Sequence, residues 1–154
     1  MASAGVDFGV EADALTATAQ RVSEYAGEVV AGWLDDAKPY SDGTDVRRVA
    51  AVHEFGTSDV PARMPLRSYF DSRGKDELAR ATAEGLGQTV DGKQAEQELE
   101  QVGELAAEGI GAGIESGLQP ALAPSTLANP DRDSRGIPLL DTGHLLSQVD
   151  SEVR

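Results

Sequence analysis

The chain has no cysteine, which excludes disulfide staples, thiolate nucleophiles and cysteine-ligated zinc. Aromatic residues make up only 5% of it, so a core must rest mainly on Ala, Val and Leu. Positive charge is also scarce, with 13 Lys and Arg against 27 Asp and Glu and a net charge of −14. Nucleic-acid affinity comes largely from cations that displace counterions, so this balance disfavours a phosphate-gripping surface. An acidic surface would instead repel a duplex and let it move past without sticking. No apolar run approaches the ~20 residues that cross a bilayer. The opening MASAGVDFGVEAD lacks a basic stretch followed by an apolar one, so the sequence predicts no secretory signal and synthesis in a cytoplasm.

What is present suits one domain over residues 1–154, long enough to bury a core. The 17 glycines fall partly within helical patterns, where each costs about 1 kcal/mol relative to Ala. This composition predicts a modestly stable subunit that gains stability from self-association.

Along the chain, Val6, Phe8 and Val10 alternate with Asp7 and Gly9 as in a short half-buried strand. From Glu11 the period changes, and Leu15, Val22, Tyr25, Val29, Trp33 and Leu34 mark one face of a long helix ending before Pro39. Trp33 reads as a core residue. After a turn cluster at 39–44, Val46, Val49 and Val52 or His53 recur at helical spacing and favour a short helix, with a strand the alternative for β-branched residues; Gly56 ends the element. Pro65 is placed as the first residue of the next helix, which buries Leu66, Tyr69 and Phe70 and continues through Leu78, Ala81 and Leu86. Asp91-Gly92 interrupts it. Ala95, Leu99, Val102, Ala106, Ile110 and Ile114 then share one face of a further helix. Its glycines, Gly103 to Gly117, either admit a close neighbour or let the helix bend. Residues 118–137 form a long Pro/Asp-rich loop. Asp141 or Thr142 can cap a short turn beyond it, and 147–153 alternates as a final strand. Terminal strands paired in a small antiparallel sheet, packed with two to four helices, make an α+β fold.

Residues with chemical potential do not assemble into a familiar catalytic set. His53-Glu54 offers an imidazole beside a carboxylate, but adjacent residues diverge on a helix or strand, and no activated Ser or Cys lies nearby in sequence. Asp141 and His144 suit a cap and a surface contact better than a metal pair. Asn129-x-Asp131-x-Asp133 fails as a calcium loop because Ser134 and Leu140 stand where Gly and Glu are needed. The reading is therefore no catalytic residue, no metal and no cofactor. Arg63 and Arg67 flank Pro65 and are candidates to pair with acids, within the fold or across a subunit boundary.

Two segments together resemble a known family. VAAVHEFGTSDVPARMPLRSYFD is similar to the hEFG…iPaRpflr segment of bacteriophage virion-morphogenesis proteins, the neck, tail-completion and tail-terminator-like components of long-tailed phages. LAPSTLANPDRDSRGIPLLDTGHLLSQVDSEV resembles their PLiDTG.L ending. The likeness puts Glu54, Phe55 and Gly56 in an EFG turn and Pro61, Ala62 and Arg63 in the connector. Leu139, Asp141, Thr142, Gly143 and Leu145 fall in the terminal motif. Met64-Pro65-Leu66 departs from the usual Pro-Phe-Leu, and Asn129-Pro130-Asp131 replaces residues that are more often basic.

The resemblance implies a non-enzymatic structural protein of the virion, made in the host bacterial cytoplasm. It implies a ring, commonly a hexamer, that joins tail to head and touches neighbouring neck, connector or tail-tube proteins, with DNA only passing through and no membrane. Terminator, completion factor and connector remain open alternatives. Assembly contacts are then expected at Glu54, Phe55, Gly56, Pro61, Arg63, Pro65, Arg67, Asp141, Thr142 and Gly143. An acidic intracellular adaptor or binding module is the reading of a different class.

Overall fold

A computed structural model describes residues 27–88, 92–129 and 136–154. Its order is β1 (Val29–Gly32), α1 (Val46–Phe55), α2 (Pro65–Tyr69), a π-helical turn (Phe70–Gly74), α3 (Lys75–Gln88), α4 (Gly92–Glu115), α5 (Pro124–Leu127), α6 (His144–Ser147) and β2 (Asp150–Val153). β1 and β2 pair antiparallel, Val29 opposite Val153 and Gly32 opposite Asp150, and α4 packs across them. The architecture is α+β.

The expected final strand is present but shorter, Asp150–Val153 rather than 147–153, because Ser147 closes the α6 turn; its described partner is Val29–Gly32. The alternating stretch at 5–10 lies outside the described residues, as do residues 11–26 of the expected long helix. The end of that helix is corrected: Val29–Gly32 is a strand. Two adjacent β-branched residues suit a pleated surface better than a helix, and pairing with 150–153 satisfies their backbone. The single turn α6 stands where a short turn was expected, whereas α5 was not expected and sits inside the loop at 118–137, whose residues 130–135 lie outside the description.

The helical stripe of α4 is where core formation is clearest. Ala95, Leu99, Val102, Ala106, Ile110 and Ile114 are all buried. Lacking Cβ atoms, Gly103 and Gly109 let neighbours approach: a side chain at 103 would press on Ser151 and Val29, and one at 109 would overlap the Tyr69 ring. Close approach is thus the use made of these two glycines. Gly117, with φ +87°, lies just beyond the helix, where the chain turns away.

Between Pro65 and Gln88 the helical segments follow one another without a gap, and the turn widens at Phe70–Gly74. Ser72 Oγ donates to the carbonyls of Ser68 (2.6 Å) and Tyr69 (3.0 Å), competing with backbone donors as hydroxyls inside helices do. The wide turn brings Gly74 beneath the Tyr69 ring, where a Cβ would stand 2.7 Å from Cε1. Tyr69 is consequently held between Gly74 and Gly109. Sequence periodicity carries no signal for this turn.

A second apolar cluster joins Val46 and Ala50 of α1 to Leu145 of α6. Trp33 packs against both this cluster and the α4-centred one. Its indole Nε1 donates to the Leu145 carbonyl at 2.8 Å, which satisfies the polar atom of a half-buried ring.

Candidate functional site

α1 begins at Asp45, whose carboxylate accepts the Arg47 N–H, and ends at Gly56 with φ +75°. The positive φ favours glycine, and a Cβ there would lie 2.9 Å from the Ala62 nitrogen. The chain therefore folds back tightly. Thr57 Oγ1 accepts the Val60 N–H at 3.0 Å, and the His53 carbonyl accepts from both Arg63 (2.7 Å) and Met64 (3.0 Å). Met64 takes a left-handed φ of 50° immediately before Pro65.

Three consecutive side chains at the end of α1 go three ways. Glu54, only 5% exposed, turns toward the start of α2. Its carboxylate accepts the backbone N–H of Leu66 (2.9 Å) and Arg67 (3.4 Å) and the Arg67 Nε (2.8 Å). It thus serves as a cap for α2 from another helix, and Arg67 also donates to the Glu54 carbonyl at 2.8 Å. Phe55 is 75% exposed, and the Arg67 guanidinium lies 5.6 Å from its ring centroid. His53 faces the other way, into a cleft. His53 and Glu54 therefore do not form a catalytic pair.

The cleft holds about 710 Å³ and is lined by the connector (Val60, Pro61, Arg63), by the loop at Pro120–Ala123 and by the terminal motif at Leu139–Leu145. Arg63 is 6% exposed. Its Nε donates to the Pro120 carbonyl at 3.0 Å and an outer nitrogen to the Ala121 carbonyl at 3.5 Å, so it pins the loop to the connector. Little of it is left for a neighbour to touch; the shape of the loop is what it contributes to the surface. Leu139 has a left-handed φ of 67°. Among the described residues, Met64 and Leu139 are the two non-glycines with positive φ, and each falls in one of the two motif segments. Such conformations cost on the order of 1–3 kcal/mol and persist where surrounding structure over-determines them.

The N-cap of α6 is Gly143, in a left-handed conformation and without a side-chain cap, so neither Asp141 nor Thr142 provides the expected cap. Thr142 Oγ1, one residue outside, accepts the His144 N–H at 3.3 Å in a local turn. His144 Nε2 lies 2.9 Å from the Lys38 carbonyl. A carbonyl only accepts, so that nitrogen carries the proton. The ring also tilts against Tyr40 at 4.7 Å. Burial first, then the charges of Asp141 and Asp42, push the Tyr40 phenol above its ordinary range.

Burial, reinforced by the Arg63 charge, lowers the pKa of His53 below 6.5. Its Nδ1 is buried without a hydrogen-bond partner. The unfolded chain therefore binds this proton more readily than the native one, and stability falls as pH drops from about 6.5 toward the folded-state value. His53→Gln is expected to flatten the decline in melting temperature between pH 7 and 5, measured by thermal denaturation; a profile identical to wild type would remove His53 as its source.

Of the residues singled out in the sequence, Pro61, Arg63, Asp141, Thr142 and Gly143 line this cleft. Glu54 and Arg67 form the brace behind it with Phe55, while Gly56 closes the turn and Pro65 is buried at the start of α2. Sequence reasoning missed Tyr40, the inward aim of His53 and the docking of Pro120–Ala123. The connector contact with that loop spans 57 positions, from Arg63 to Pro120. Among the described residues, no group of His, Cys, Asp and Glu is arranged to hold a metal ion, and no helix is long and apolar enough to cross a membrane.

Compared with protein-family models, curated proteins and solved structures, the chain matches none.

Proposed function

We propose that this protein is a structural subunit of a bacteriophage virion, working at the neck or head-proximal end of the tail as a tail-completion, tail-terminator or head–tail connector component. It assembles into a ring, with a hexamer as the expected form, joins tail to head and lets DNA pass. No enzymatic step is assigned to it. The observation that carries this reading is the meeting of the two motif segments, distant in sequence, around one cleft through Arg63, Pro61 and Asp141–Gly143. Their residues shape loops, braces and backbone turns, which suits a surface built for docking. The net charge of −14 suits a conduit that does not bind the polymer moving through it.

Electron microscopy of the purified protein and of phage particles tests the reading. Closed rings are expected, and a chain that stays monomeric at high concentration and is missing from virions would sink it. The connector supplies a finer test. Pro65 is fully buried, so replacing it disturbs the fold itself. Pro61 is exposed and stiffens the loop. Pro61→Gly is expected to lower stability by no more than about 1 kcal/mol yet weaken assembly, because a looser loop loses more entropy on docking. Assembly at the wild-type level would show that the stiffness is unused.

A further inference from the structure

Phe55 is a large apolar side chain standing in solvent, and the cleft is a largely apolar hollow on the other side of the same helix. At 100° per residue, Phe55 lies about 200° around α1 from His53, which lines the cleft. Arg48, seven residues before Phe55, shares its exposed side, and Arg67 lies over its ring. The projection therefore shares its side of the helix with Arg48, about two turns away, and with Arg67, which is paired with Glu54 but still half-exposed. The cleft bears Asp59 and Asp141, both exposed, while its own cation, Arg63, is buried against loop carbonyls. An aromatic projection with a basic surround thus sits opposite an apolar hollow with an acidic rim.

We infer that Phe55 of one copy seats in the cleft of a second copy, with Arg48 and Arg67 meeting Asp59 and Asp141 at its rim. This rests on the ring reading and supplies its contact. Because projection and hollow lie on opposite sides of α1, the contact is head-to-tail: each copy offers one of each, and repetition closes a ring or runs on as a filament. A self-complementary two-fold dimer would need both on one face. A single buried aromatic anchor ringed by polar pairs is a common way for an interface to concentrate its affinity.

The choice of a second copy over another partner rests on this matching of charge and apolar surface within the one chain. Raised salt should weaken the contact, since the rim pairs are solvent-exposed. His53, which lines the hollow, offers the Phe55 ring an aromatic neighbour.

Two variants test the arrangement by sedimentation velocity. Phe55→Ala removes the projection and keeps the cleft. Ala121→Trp fills the cleft, keeps the backbone carbonyl that Arg63 uses, and leaves Phe55 in place. Each alone should weaken self-association at least ~30-fold. Mixed in equal amounts, they should form a 1:1 dimer that grows no further, because the pair retains one intact contact. That dimer also demonstrates that both variants fold. If Phe55→Ala assembles like wild type, or the mixture stays monomeric, the proposed contact is wrong while rings of the wild-type protein still support the ring reading. If the wild-type protein never associates, both fail.

Discussion

Gly109→Ala is expected to lower the melting temperature by roughly 5–10 °C, through an overpacking cost of about 3 kcal/mol. Alanine is the better helix former by about 1 kcal/mol, so intrinsic propensity alone would raise stability. Packing reverses the sign. A Cβ at 109 overlaps Tyr69 Cε2 and Cζ, and that ring is buried, with Gly74 close on its other side. Any retreat of the ring would take it out of its place between α4 and the π turn. The control is Gly113→Ala, four residues on in the same helix, where nothing lies within 4 Å of the new atom; propensity should win there and stability rise by up to about 1 kcal/mol. Thermal melts of the two variants decide the matter. If both shift in the same direction, the close approach of α4 to Tyr69 is not what the glycine serves.

Glu54→Ala should cost about 3 kcal/mol, since it strips a buried acceptor from the Leu66 and Arg67 amides and from the Arg67 side chain at once. This lies at the low end for a broken buried ion pair because the Arg67 side chain is 49% exposed and regains water when released. The informative comparison is Glu54→Gln, which keeps the shape and one carbonyl acceptor but loses the charge. If the carboxylate acts mainly as a cap for α2, the glutamine variant should recover more than half of the loss. Urea denaturation of the three proteins gives the answer, and equal stability of Glu54→Ala and wild type would refute the brace outright. Removing the Glu54 side chain also loosens Arg67 over Phe55, so changes at 54 and 55 couple and should not be summed.

How far residues announce their structure varies along this chain with the range of the forces involved. The α4 stripe was legible because six apolar residues at helical spacing admit one buried face, and all six are buried. Gly56 and Pro65 were legible because each acts through its own backbone, one by its positive φ and one by its place at the first turn. The strand at Val29–Gly32 was not, because its apolar residues also fit a helical stripe and only the partner at 150–153 selects the extended form. Arg67 could be named as a cation in search of an acid, but the acid, Glu54, is reached only once the chain has turned at Gly56. The cleft was legible least of all. Its parts come from α1, the connector, the Pro120 loop and the terminal motif, and no local pattern encodes that Arg63 reaches across to Pro120.

Trp33 is the chain's one tryptophan, and it stands where the two apolar clusters meet, bonded to the backbone of the segment that carries the terminal motif. The protein is in this sense self-labelled. Its intrinsic fluorescence has a single tryptophan source, and the emission wavelength follows the wetting of that one seam. Detachment of the α6 segment would redden the emission even while α4 remained helical, so the optical signal and the far-ultraviolet helix signal can separate the opening of the seam from loss of the helical core.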